Sequence, residues 1–263
     1  MPRTVAAART AASARTAVAA RIAMRGWGNQ SIRFDSTNDY VDFGTTDFAF
    51  ERTQAFSVSA WIYPDPLPTV PNGIIISRAN AATTFRGWWL RHVNASRAVE
   101  VFLSNDFAGG NIINVKTNPN TVDPKQWMRV GFSYDGTSLA AGIIFYIDGL
   151  AVSKVTTTDA LSATIVDAGV AARMGTITDS TFDFGGNLTD VAVYTDVLTA
   201  AEFSQIHFNG IYPSDNLYAR WKMTDGSGTT LTDDSGNGRN GTITAATWST
   251  SYAPLQTART VAS

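Results

Sequence analysis

WMRVGFSY, residues 127–134, places Met128, Val130, Phe132 and Tyr134 at alternate positions, with Arg129 and Ser133 between them. A period of two marks a strand with one face in a core and the other turned away from it. SVSAWIY (57–63) repeats the pattern: Val58, Ala60 and Ile62 share one face, while Ser57, Ser59 and Trp61 share the other. FYIDGLAVSK (145–154) reads as a hairpin, because Asp148-Gly149 supplies the two left-handed positions of a type I′ turn. Pro64, Pro66, Pro68 and Pro71 mark a loop that cannot join a central strand. Trp61 and Trp127 both fall opposite the small apolar residues. Either these strands are covered on both sides or the proline loop lies over one of them, and Trp61 is expected to be largely buried.

The rest of the chain extends this reading. From residue 31 onward, short strands alternate with turn signals at the spacing of a sandwich. One helix stands out, LTAAEFSQIHFNG (198–210): Thr199 and Glu202 are placed as a capping box, Phe203, Ile206 and His207 lie on one side, and Asn209-Gly210 form a stop. One helix among many strands gives an all-β antiparallel sandwich. The 263 residues suffice for one large β domain or two small ones. There are no cysteines, so disulfides and thiolate metal sites are excluded. No apolar run approaches the ~18–20 residues of a membrane span.

Three stretches together resemble the laminin G-like domains of the concanavalin A-like lectin/glucanase superfamily. They are SIRFDSTNDYVDF (31–43) with FSVSAWIYP (56–64), QWMRVGFSYDG (126–136) with FYIDG (145–149), and GGNLTDVAVYTDVLTAAEF (185–203). The resemblance covers most of residues 29–210 and implies two facing antiparallel sheets in a jelly roll. It also places YARWKMTDGSGTTLTDDSGNGRNGTI (218–243) out of order, since a segment of this kind commonly precedes the FDxxNDYV strand. Too little chain follows for a second domain, so this segment is expected to supply an edge of the same sandwich. The resulting organisation is a basic arm at 1–28, a jelly roll at 29–253 and a tail at 254–263.

The superfamily includes glycoside hydrolases, whose chemistry needs two carboxylates flanking the bond, ~5–5.5 Å apart for retention and wider for inversion. The three glutamates, Glu51, Glu100 and Glu202, are far apart and form no such cluster, so the chain reads as non-enzymatic. Sugar binding needs an exposed aromatic platform with polar groups to orient the ligand. In RGWWLRH (86–92), Leu90 facing the core brings Trp88 beside it and turns Trp89 and Arg91 outward, a candidate ligand-binding pair. The alternative is that Trp89 is covered by a loop or by a neighbouring subunit. DDSGNGRNG (233–241) is dense in oxygen donors and glycines, as a hard cation prefers, although a tight turn explains the same residues. The resemblance adds a calcium near such a loop together with an aspartate on the strand before the helix, which implies Asp190, Asp233 and Asn237 as metal ligands.

Residues 1–34 carry six arginines and no acid, while the remainder holds 14 basic residues against 22 acids, a basic arm on an acidic body. Arg3, Arg9, Arg15 and Arg21 recur every sixth residue. The arginines interrupt the apolar run that a secretory signal needs. The composition suits a mitochondrial transit peptide, but a six-residue step turns by about 240° on a helix and scatters these side chains. On an extended chain they share one face. Those four arginines are therefore expected to bind a partner, with the arm extended along it. RTVA recurs in the closing ARTVAS (258–263). Small laminin G-like proteins of this kind resemble phage virion components, which implies a virion subunit, a capsid decoration or fibre protein. It would be a homo-oligomer with a capsid or other assembly protein as partner. The alternative is a glycan-binding, lectin-like module of a secreted or surface protein. No membrane partner is expected. Nucleic acid is the lesser alternative for the arm, since the acidic body would not help.

Overall fold

The computed structural model describes residues 30–66, 72–81, 84–178 and 182–253; residues 1–29, with all four arm arginines, lie outside them. Strands are numbered in chain order. The first sheet runs β10 (Leu150–Val152), β9 (Ile143–Ile147), β8 (Met128–Tyr134), β3 (Phe56–Pro64), β13 (Gly185–Tyr194), β1 (Ser31–Asp35), β17 (Thr247–Ser249), and β14 (Leu217–Trp221) pairs with the second half of β13. The second runs β11 (Lys154–Asp159), β7 (Asn111–Thr117), β6 (Ala98–Asp106), β5 (Gly87–Val93), β4 (Asn72–Ala79), β12 (Ala172–Met174), β2 (Tyr40–Asp42), β16 (Gly241–Thr244), β15 (Thr230–Leu231). All described pairings are antiparallel. The out-of-order segment does complete the sandwich: β16 pairs with β2 and carries β15 at the second sheet's edge, while β17 closes the first sheet on β1.

The alternating residues land as their period requires. Val58, Ala60, Ile62, Val130, Phe132 and Tyr134 enter the core between the sheets, facing Leu90, Val101 and Val115 of the second sheet. Asp148 and Gly149 adopt φ of 49° and 79°, the positive values of the hairpin that joins β9 to β10.

The outer face of the first sheet is covered in part by the helix α1 (Ala200–Asn209). Thr199 and Glu202 cap it reciprocally, and Gly210 ends it at φ 63°. Phe203 stacks on Tyr146 at 3.9 Å and Ile206 joins Ala192, Tyr194 and Leu198 beneath it. Gly131 interrupts the side-chain pattern of β8 because a Cβ there would lie 2.5 Å from the Val58 carbonyl oxygen of β3 and 2.7 Å from Phe203 of the helix. Trp61 is buried, at 1 % exposure. α1 and β8 contribute its cover: His207 packs 5.2 Å from the indole and the Arg129 guanidinium 4.9 Å from it.

Both histidines are buried as neutral rings. Burial lowers His92 to about 4; burial, with the Arg129 charge beside it, lowers His207 to about 3. Each lies below the unfolded value of about 6.5. Between about pH 6.5 and pH 4 the unfolded chain therefore binds more protons than the native one, and stability present above that window drains away as pH falls through it. Urea midpoints are expected to drop steeply from pH 7 to pH 4.5, and less steeply in His92→Gln. A profile flat over that range contradicts neutral burial.

Candidate functional site

Asp190 sits on β13 at a bulge between the registers with β3, in the left-handed region at φ 47°. Its carboxylate is a junction. Oδ2 accepts from Arg129 Nη2 at 2.8 Å and from the Tyr212 hydroxyl, and Oδ1 accepts from Arg220 Nε at 3.0 Å. Arg220 and Arg129 both lie over the Tyr212 ring, at 3.4 and 5.7 Å. Arg129 and Asp190 are each only 1 % exposed at the side chain. Burial pushes the Asp190 carboxyl up, but Arg220 and Arg129 outweigh it and hold it below the ordinary carboxylate range.

This arrangement does not fit the implied calcium set. A divalent ion on Asp190 would meet two guanidiniums already occupying both oxygens. Asp233 is equally committed: it accepts from the backbone N–H of Arg220, Ser235 and Arg239 at 3.0, 2.9 and 2.9 Å and from Ser235 Oγ at 2.8 Å. Asn237 turns its amide toward β14, donating to the Leu217 and Tyr218 carbonyls at 2.9 and 3.1 Å. Asp233 and Asn237 thus build a turn that is fastened to β14. Among the described residues no group of three or more His, Asp or Glu is arranged to hold a metal ion.

Trp89 and Arg91 do point outward from β5, yet Trp89 is only 3 % exposed. Phe102 of β6 stacks on it at 4.1 Å and 8°, and Phe85 and Phe182 pack against it from two loops. A sugar cannot stack on a ring face that is already filled, so Trp89 does not provide the open platform. Arg91 lies across Trp89 and Phe182 and pairs with Glu100, with N···O distances of 2.8 and 3.1 Å. The cluster pins the two loops to the second sheet.

A partly exposed aromatic pair lies on the outer face of the other sheet. Tyr63, two residues along β3 from Trp61, shares its outer face but lies beyond the helix. Its ring is 5.5 Å from Trp127, and both are partly exposed. Of this pair, Trp127 was legible as outward-facing; Tyr63 could have been found from its two-residue step from Trp61. The glutamates remain occupied structurally: Glu51 accepts from the Arg52 and Ile165 N–H groups, Glu100 holds Arg91, and Glu202 caps α1.

Comparison with solved structures agrees with the sandwich. A candidate carbohydrate-binding protein from Bacteroides ovatus superposes with a TM-score of 0.60 at 22% identity over 88% of this chain; this chain spans 62% of that protein's length. A native heptameric pentraxin of the serum amyloid P-like type from Limulus polyphemus gives 0.52 at 16% identity, covering 70% of this chain and 84% of its own. The CBM40 domain of a Ruminococcus gnavus sialidase, bound to α2,3-sialyllactose, gives 0.51 at 17% identity, covering 67% and 96%. At these identities the likeness concerns the fold. No curated protein matches the chain by sequence. A laminin G-type family model matches residues 35–204, well over half of the length. With the jelly roll and this match together, the chain belongs to the concanavalin A-like lectin/glucanases superfamily.

Proposed function

We propose that the chain is a non-catalytic, lectin-like glycan-binding domain that works outside the cell or at a surface. The observation that carries this reading is the partly exposed Tyr63–Trp127 pair on the outer face of a sheet. Aromatic side chains with a polar edge suit ligands that have both a flat apolar face and many hydroxyls. Two of the similar structures point the same way, one described as a candidate carbohydrate-binding protein and one seen with sialyllactose. The engaged glutamates support a binding role over hydrolysis. No helix among the described residues is long and apolar enough to cross a membrane. The reading as a virion subunit rests on a resemblance to phage components and on Arg3, Arg9, Arg15 and Arg21, which lie outside the described residues, so it has no geometry behind it.

The test is a glycan array probed with the full chain. Selective, saturable binding to a class of glycans is expected. An array with no signal, repeated with multivalent display of the protein, rejects the reading.

A further inference from the structure

The Tyr63–Trp127 pair is one end of a longer row. Along the register of the first sheet, Tyr63 of β3 faces Asn187 of β13, Asn187 faces Arg33 of β1, and Arg33 faces Thr247 of β17. Their chain neighbours Ile62, Leu188 and Ile32 are all in the core, so the row occupies the outer face, alongside the part that α1 covers. Five strands separated by about 4.8 Å make a track of about 19 Å running across the strands. One end is aromatic; the remainder offers the Arg33 guanidinium and the Thr247 hydroxyl, while Asn187, 6% exposed, lies beneath the surface of the row.

The polar members are held in place. Asn187 Nδ2 donates to Ser31 Oγ at 2.9 Å, which fixes the amide. Arg33 Nη2 donates to Asp65 Oδ2 at 2.6 Å and its side chain is still 35% exposed. Charge along the row is balanced. Arg33 is matched by Asp65. Exposed Lys125, whose N–H donates to the Pro64 carbonyl beside Tyr63, is matched by exposed Asp35, two residues from Arg33. No excess of positive charge is present to draw a carboxylate.

We infer that this row is a glycan-binding site for a linear, uncharged oligosaccharide. The chain lies across the strands, with successive sugars stacked on Trp127 and Tyr63 and the following hydroxyls ordered by the partly exposed Arg33–Asp65 pair. The inference rests on the glycan-binding reading and adds the site, the direction of the ligand and its charge class. Because the site is a track, affinity grows with chain length. Because its charge is balanced, an acidic sugar gains nothing there.

The experiment titrates the full chain by calorimetry with cello-, xylo- and manno-oligosaccharides of two to six units, and with sialyllactose. At least one neutral series is expected to bind more tightly with each added unit before levelling off. In that series Trp127→Ala and Tyr63→Ala should each weaken binding at least tenfold. Tyr63→Phe, which keeps the ring, should bind within about threefold of the parent, and Arg91→Ala, on the opposite sheet, should be unchanged. Urea midpoints close to the parent confirm that the variants are folded; Trp127→Leu and Tyr63→Leu replace any variant that is not. Binding of a neutral series that survives both ring deletions, or a preference for sialyllactose, overturns the row and leaves the glycan-binding reading standing. Failure of every sugar here together with a blank array overturns both.

Discussion

Asp190→Asn is expected to cost about 3–5 kcal/mol of stability, because it leaves two buried guanidiniums without their counter-charge. Asparagine is the sharp test. It keeps the size of the side chain and tolerates the left-handed backbone at φ 47°, so neither a cavity nor new strain enters the comparison. What it removes is the charge that Arg129 and Arg220 share. The melting temperature should fall on the order of 10 °C. Replacing Arg129, Asp190 and Arg220 together by apolar residues should recover much of that loss, since a buried ion cluster contributes little beyond well-packed apolar side chains. The carboxyl is held below the unfolded value of about 3.9, so its contribution is complete above that pH and is lost only as pH falls through the lower folded value. This places it below the histidine window. Parent melting curves recorded in chelator and in millimolar calcium should overlay, because the guanidiniums fill the position a cation would need. An Asn variant as stable as the parent would mean the arginines find solvent or other acceptors; a calcium-dependent shift would put a metal elsewhere in the domain.

The sandwich was readable because its signals are local. Alternation in 57–63 and 127–134, the Asp148-Gly149 turn and the Thr199–Glu202 cap each depend on residues a few positions apart, and each formed as the pattern requires. The site was not local in this sense. Asp190 was implied as a metal ligand by the family resemblance, and nothing in its sequence neighbourhood reveals the arginines that reach it from 61 and 30 residues away. The outward direction of Trp89 followed from the pleat, but its cover comes from Phe85 and Phe182, on loops whose paths no periodicity specifies. The Tyr63–Trp127 pair lies between these cases. Period two turns both side chains outward; the register of β3 with β8 makes them neighbours.

Trp88→Ala and Trp127→Ala should differ widely in cost, although both remove an indole. Trp88 points inward from β5, lies 5.7 and 5.1 Å from the rings of Phe50 and Phe56, and donates from Nε1 to the Phe48 carbonyl at 2.9 Å. Its deletion opens a cavity in the sandwich and strips a buried carbonyl of its donor, and a loss of about 3–5 kcal/mol is expected. Among the described residues Trp127 has one aromatic neighbour, and its ring is partly exposed, so its deletion should cost about 1 kcal/mol. Urea unfolding followed by far-UV circular dichroism measures both losses independently of fluorescence, which the substitutions alter directly. The contrast bears on function. A tryptophan that the fold can lose cheaply, yet whose loss abolishes a ligand, serves recognition. If Trp127→Ala proved as costly as Trp88→Ala, the ring would be a structural member of the sheet, and its open face would be incidental to the packing beneath it.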